Sequence, residues 1–281
     1  MATGREFVVA LDGRVLAPDA SFVCADDPVF SRGDGVFETL LLRDGGPALL
    51  DAHLARLRES AALTGLPAPD LEALRAAVAT AATTWGAEGD AVVRLVHGRG
   101  RSGTTVAFVA VSSVPERVAA VRRDGVSAMT LDRGGPTRAV PWAVAGAKSS
   151  SYAVNAAALR HAEGLGFGDV VFHSADGFVL EGPRSSVVIA SGGTLVTPPT
   201  SLTILPGTTV AGLFEVARRR GTACEQAMIS TADLVAAQGV WLLSSVTLVA
   251  RVHTLDGTPL PPAPMDAELT SLVDAAVAGG P

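Results

Sequence analysis

Paired apolar runs, each pair joined by a turn that tolerates positive φ, give this chain its pattern. Phe7–Leu11 and Val15 flank Asp12-Gly13, and Val36–Leu42 and Ala48–Leu50 flank Asp44-Gly45-Gly46. Val170–His173 and Phe178–Leu180 flank Ala175-Asp176-Gly177, and Val187–Ala190 and Thr194–Val196 flank Gly192-Gly193. Runs rich in β-branched residues, closed by Gly and Asp, are the composition of β-hairpins. They predict antiparallel pieces, not β-α-β units. Further strands are expected at Val92–Val96, Val106–Val111 and Val126–Leu131.

Helical periodicity lies between these runs. Asp51 is a candidate cap for a helix with Leu54, Leu57 and Ala61 on its apolar face, and Asp70 for one with Leu71, Leu74 and Val78. An alanine-rich helix is expected from Tyr152 to about Gly164, and another from Thr209 to Arg220, stopped by Gly221. Ser230 with Asp233 resembles a capping box, and a last helix runs from Asp266 to Val277. Strand-rich halves with segregated helices predict an α+β architecture in two domains. Residues 1–113 form the first and 121–281 the second, with 114–120 as linker around Pro115.

Composition narrows the function. Hydrophobic residues make up 48%, enough for a sizeable core, while charged residues are 18% and the net charge is -6. An acidic, sparsely charged chain has no basic surface for nucleic acid. Its one like-charge run, Arg218–Arg220, reads as a helix end before glycine. Cys24 and Cys224 are isolated and suit a reduced, cytoplasmic protein. Met1–Val9 lacks the pattern of a signal peptide. Leu234–Ala250 is free of charge but too short and polar to span a bilayer; it reads as a helix end followed by a buried strand. His53, His97, His161, His173 and His253 have no metal spacing, so no metal is expected. No Walker or GxSxG motif is present.

Lys148 is the only lysine; every other basic side chain is arginine. Arginine cannot lose its proton and attack a carbonyl, whereas a lysine amine can form a Schiff base. Read alone, Lys148 is equally a leftover surface charge. It lies between Val144-Ala145-Gly146-Ala147, which predicts a desolvated amine, and Ser149-Ser150-Ser151, which leave room for a flat ring. Glu181 ends a strand before Gly182-Pro183 and could face a pocket or solvent. Leu205-Pro206-Gly207-Thr208-Thr209 opens a helix, as either an anion site or an ordinary capped turn. Arg56 lies beside an apolar helix face, and Arg99 and Arg101 follow a strand; each could bind an anion or be solvated.

In this order, these residues resemble the fold-type IV pyridoxal-phosphate enzymes, which include branched-chain aminotransferases, D-amino-acid aminotransferases and aminodeoxychorismate lyases. Gly33–Thr39 resembles the family's early strand, Asp51–Leu57 its phosphate-arginine helix, Glu181–Ser186 its ring-nitrogen element and Leu205–Thr209 its phosphate turn. The match covers nearly the whole chain. It departs at Val210 and Ser186, where many relatives have arginine and asparagine. Gly-Asp-Gly-Val-Phe-Glu-Thr at 33–39, Ser-Tyr-Ala-Val-Asn at 151–155, Ile-Leu-Pro-Gly-Thr-Thr at 204–209 and Trp-Leu-Leu-Ser-Ser-Val-Thr at 241–247 most resemble the actinobacterial aminodeoxychorismate lyases.

The resemblance implies pyridoxal 5'-phosphate as cofactor, with Lys148 as Schiff-base lysine and catalytic base. It implies Glu181 on the ring nitrogen, Arg56, Thr208, Thr209 and Ser245 on the phosphate, and Tyr152 on the phenolic oxygen. Phe37, Thr39, His97 and Arg99 become candidates for the substrate pocket. The implied activity is conversion of 4-amino-4-deoxychorismate to 4-aminobenzoate and pyruvate, in folate synthesis. The alternative is an aminotransferase acting on branched-chain or D-amino acids or amines. A small-molecule amine substrate and a homodimer are expected, with no nucleic-acid or membrane partner.

Overall fold

The first apolar runs form strands β1 (Glu6–Ala10) and β2 (Val15–Leu16), with Gly13 at φ 88° in the turn between them. The chain continues through a short helix α1 (Pro28–Ser31), β3 (Gly35–Arg43), β4 (Gly46–Pro47), helices α2 (Leu50–Leu63) and α3 (Leu71–Trp85), β5 (Ala91–Arg99) and β6 (Thr105–Ser113). These strands make an antiparallel sheet in the order β2-β1-β6-β5-β3-β4. Period-2 alternation gives the sheet two faces. Val36, Leu40 and Leu42 of β3, with Val93 and Leu95 of β5, face Leu54, Leu57 and Ala61 of α2 and Leu74, Val78 and Trp85 of α3. Each large apolar side chain buried there contributes about 1.5–3 kcal/mol. Phe37 and Val96 lie on the opposite face with Val29 and Tyr152.

This computed structural model describes residues 6–134, 144–202 and 204–279. The chain divides into two compact units, Met1–Pro115 with Ala147–Tyr152, and Glu116–Gly146 with Ala153–Pro281. The segment carrying Lys148 therefore groups with the first unit, whereas the sequence placed it in the second domain.

The second unit begins with helix α4 (Glu116–Asp124), followed by β7 (Val126–Asp132), α5 (Ala153–Gly164), β8 (Asp169–His173), β9 (Ser186–Ser191) and β10 (Thr194–Thr197). It ends with α6 (Thr208–Arg219), β11 (Cys224–Gln226), α7 (Thr231–Ala236), β12 (Gly239–Ser244), β13 (Leu248–Leu255), β14 (Thr258–Pro259) and α8 (Asp266–Val277). Its mixed sheet has the order β11-β10-β9-β12-β13-β7-β8, and β14 adds to β13. One core lies between this sheet and α7, built from Val187, Ile189, Val240 and Leu242 with Leu234.

Local signals survive in the structure. Asp70 caps α3 by accepting from the amide of Ala73 at 3.0 Å. Ser230 and Asp233 form a reciprocal capping box. Arg220 is the C-cap of α6, and Gly221 follows it at φ 80°.

Other expectations change. Asp51 does not cap α2; left-handed Leu49 precedes the helix, and Asp51 sits exposed in its first turn, paired with Arg75. The strand expected at Ala48–Leu50 does not form: Ala48 and Leu49 lie in a turn, Leu50 starts α2, and the partner of β3 here is Gly46–Pro47. Residues 116–120 of the expected linker are helical; α4 has few apolar positions and buries only Val118, so its periodicity was weak. Leu234–Ala250 holds a helix end, β12, a turn and the start of β13, so two strands replace the single one expected. The second sheet is not purely antiparallel. β7 pairs in parallel with β8 and β13, and β10 with β11. Phe178 and Val179 make only isolated bridges, to Ser230 and His173. Both cysteines are free, half-buried thiols. Among the described residues, no helix is long and apolar enough to cross a membrane, and no group of His, Cys, Asp or Glu has metal-binding geometry.

Candidate active site

In the first unit, the Lys148 segment lies along the free edge of β3. The amide of Phe37 donates to the carbonyl of Lys148 at 2.9 Å, the amide of Ser150 donates to Gly35 at 2.8 Å, and Val36 bridges to Ser149. The amide of Lys148 donates to Ser60 Oγ on α2 at 3.1 Å. Strand pairing and one helix hydroxyl thus fix the lysine backbone. Close packing supports this: a Cβ on Gly33 would come within 2.4 Å of Ser151 Oγ. The apolar surface beside the amine is not Val144 and Ala145, which are exposed. It is Phe37, whose ring centroid lies 4.7 Å from Lys148 Nζ. Tyr152 meets Phe37 edge-on, with ring centroids 5.9 Å apart.

Phe37 carries a second cation. The guanidinium carbon of Arg94 lies 4.1 Å from the same ring centroid. Thr39 pairs with Arg94 across the strands, so Phe37, Thr39 and Arg94 share one face of the sheet. His97 and Arg99 do not; odd positions of β5 point to the helix side. His97 Nε2 bonds to the carbonyl of Pro67 at 2.8 Å. Arg99 binds Asp34 through Nε at 2.8 Å and Gly65 O through Nη2 at 3.0 Å. Both tie down the loop between α2 and α3, away from the Phe37 face. The backbone amide of Arg101 donates to Asp27 at 2.8 Å.

Arg56 is buried, contrary to a routine surface arginine, and is gripped by Glu38. Its Nε donates to Oε1 at 2.7 Å and its Nη2 to Oε2 at 2.8 Å. His53 Nδ1 lies 2.7 Å from Oε2. Burial pushes the Glu38 carboxyl up, but the hydrogen bonds and charge of Arg56, with help from His53, hold it down at about 2. Burial lowers the pKa of His53 despite Glu38, so near neutral pH Nδ1 carries the proton of a neutral ring and donates it.

In the second unit, Glu181 is not a solvent-facing strand end. Its Oε1 accepts from Arg133 Nη1 at 3.1 Å and its Oε2 from the amide of Leu205 at 3.0 Å. The second bond fastens the Leu205–Thr209 turn to Glu181. Gly207 precedes α6 without a side-chain cap, and a Cβ there would meet Ser186 Oγ at 2.3 Å. Thr208 and Thr209 are both buried, and among the described residues Thr209 Oγ1 has no hydrogen-bond partner. First-turn amides of a helix have no intrahelical acceptor, and the helix dipole favours an anion beside them. An unsatisfied buried hydroxyl there fits a phosphate-bearing ligand. Leu243 of β12 pairs with Ser186, so the half-buried turn carrying Ser245 leaves the sheet near the Ser186–Gly207 contact. Arg122 clamps that turn from α4, donating to the carbonyls of Val246 at 2.6 Å and Thr247 at 3.3 Å.

Glu38 and Arg94 were not singled out by the sequence. Each had a signal, a charge inside an apolar strand run, Val-Phe-Glu-Thr-Leu and Val-Val-Arg-Leu-Val.

Residues 35–255 match the family model of amino-transferase class IV. The chain is 53% identical over 284 residues to the bifunctional aminodeoxychorismate lyase / D-amino acid transaminase of Mycobacterium tuberculosis, covering 96% of this chain and 98% of that one. Two solved structures of a hypothetical aminotransferase from Mycobacterium tuberculosis superpose closely. The pyridoxal-phosphate-bound form has a TM-score of 0.95 at 52% identity, over 98% of this chain and 99% of that one. The form with α-ketoglutarate and pyridoxamine phosphate has a TM-score of 0.94 at 53% identity, over 97% and 99%. With its α+β fold and its matched residues, the chain belongs to the class IV aminotransferase family.

Proposed function

We propose that this protein is a pyridoxal-phosphate-dependent lyase that converts 4-amino-4-deoxychorismate to 4-aminobenzoate and pyruvate. The observation that carries this reading is its 53% identity, along nearly the whole of both chains, to a relative named for that lyase activity. That relative is named as a D-amino acid transaminase too, so transamination of D-amino acids is the second reading. Fit to the cofactor is supported by the unpartnered Thr209 hydroxyl at the start of α6.

Lys148 would bind the cofactor through Nζ. Arg56, Thr208, Thr209 and Ser245 would hold its phosphate, Glu181 its ring nitrogen and Tyr152 its phenolic oxygen. When bound, the cofactor supplies an electron sink for the carbon bearing the amine. Lys148 Nζ is the base that takes the proton from that carbon. Loss of the neighbouring enolpyruvyl group then leaves an aromatic product. In transamination the same amine returns the proton elsewhere, which is why one lysine serves both readings. Arg94, which contacts the same Phe37 ring as Lys148, is a cation suited to a substrate carboxylate. A homodimer belongs to the same proposal on the resemblance, and a cytoplasmic location on the two isolated cysteines.

The test is formation of 4-aminobenzoate by cofactor-loaded protein, with Lys148→Ala as control. Product from the wild type alone supports the lyase. A yellow, loaded protein that makes no product, but exchanges amino groups between D-alanine and 2-oxoglutarate, moves the assignment to the transaminase.

A further inference from the structure

Glu38 occupies a core position of β3. It lies on the helix-facing side, between Val36 and Leu40, opposite Leu95 on β5, and its side chain is fully buried. Packing alone would put an aliphatic residue there, because a buried carboxylate costs stability unless fully paired. Here both oxygens are used. Arg56 takes one with Nε and the other with Nη2, and His53 shares the second. The guanidinium is planar, so two bonds to one carboxylate fix its plane and the direction of its remaining N–H groups. A neutral His53 draws on the same carboxylate without adding charge, so the cluster keeps one cation and one anion.

From this geometry we infer that Glu38 is a positioning residue: it locks the Arg56 guanidinium in the orientation that receives the cofactor's phosphate. The inference rests on Arg56 being a phosphate ligand. A purely structural ion pair would stabilise the unit without caring whether the ligand has a phosphate.

The test compares the affinity of cofactor-free protein for pyridoxal phosphate and for pyridoxal, which lacks the phosphate, by absorbance titration. Glu38→Gln is expected to cut the preference for the phosphorylated form on the order of 10- to 100-fold, the size of a charge-assisted hydrogen bond. Pyridoxal affinity should stay near wild type. Arg56→Gln should show a similar loss, and the double variant little more than either alone. If Arg56→Gln loses the preference and Glu38→Gln keeps it, the inference fails while Arg56 stands as phosphate ligand. If Arg56→Gln keeps it, the reading of Arg56 fails, and the inference with it. Equal losses for both ligands in Glu38→Gln would make Glu38 merely structural. Should Glu38→Gln not fold, Glu38→Asp retains the charge but is too short for both bonds. It should lose preference in smaller measure, and wild-type preference in that variant overturns the inference.

Discussion

The backbone amide of Leu205 donates to Oε2 of Glu181 at 3.0 Å, tying the turn that opens α6 to the carboxylate proposed for the ring nitrogen. Glutamine at 181 retains an acceptor for that amide; alanine does not. Glu181→Ala should therefore lower the stability of cofactor-free protein by about 1–2 kcal/mol more than Glu181→Gln. Both should slow turnover, because neither can hold a ring nitrogen protonated. Thermal unfolding of the two variants, set beside their steady-state rates, checks this. Equal stabilities would mean that the Leu205 bond does not hold the turn.

Thr209 gives a prediction with opposite signs in the two states. Its buried hydroxyl lacks a partner among the described residues, and such a group destabilises the fold until something satisfies it. Thr209→Val is nearly isosteric. Cofactor-free protein should be unchanged or more stable by up to about 1 kcal/mol. Affinity for pyridoxal phosphate should fall by about 10-fold. Thermal shift with and without the cofactor measures both, and unchanged affinity would remove Thr209 from the phosphate site.

What the sequence revealed was mostly local. Asp70 and the Ser230–Asp233 box rest on contacts within a turn, the last helix, Asp266–Val277, on its buried apolar positions, and each appears where expected. Lys148 stood out by rarity, but its seat on the edge of β3 depends on a pairing more than a hundred residues distant in sequence (Val36 with Ser149), which no local pattern encodes. The parallel pairing of β7 with β8 is likewise long-range. His97 and Arg99 lie off the Phe37 face for a reason the sequence does contain. They share the parity of buried Val93 and Leu95, so alternation already placed them on the helix side, while Arg94 shares the parity of Val96 on the Phe37 face. Glu38 looked like one letter of a motif because its meaning lies in its partners on α2.

Acid should destabilise the first unit through His53 before it reaches Glu38. Burial holds the His53 pKa below its ordinary 6.5, so below that pH the unfolded chain takes up a proton that the folded chain refuses. Stability from this group is complete above 6.5 and is lost as pH falls below it, by at most about 1.4 kcal/mol per pH unit. Glu38 has the same sign lower down: its contribution is present above 4.5 and is lost as pH falls toward about 2. His53→Gln keeps an amide donor for Glu38 but cannot titrate. Its stability profile, by denaturant unfolding without cofactor, should be flatter just below pH 6.5 and keep the acid limb. An unchanged upper limb would assign that titration to another group.

Arg94 tests whether the substrate is anionic. Its guanidinium and Lys148 Nζ lie 4.1 Å and 4.7 Å from the ring centroid of Phe37, so the amine and a permanent cation share one aromatic platform. A carboxylate held by Arg94 would be bound equally before and during proton transfer, which is uniform binding. Arg94→Gln should therefore raise KM about 10- to 100-fold for a carboxylate substrate and leave kcat much less affected. Pyridoxal-phosphate affinity should not change, since Arg94 is not among the residues proposed to hold the cofactor. Arg94→Lys should recover part of the loss, because the charge remains while the planar fork is gone. Steady-state kinetics on 4-amino-4-deoxychorismate and on D-alanine separate the readings further. A KM effect on the first alone would place Arg94 at a carboxylate that D-alanine lacks. An effect on both would show that Arg94 receives a carboxylate from either substrate. A fall in kcat at unchanged KM would show that Arg94 acts on the proton-transfer step and not on substrate binding.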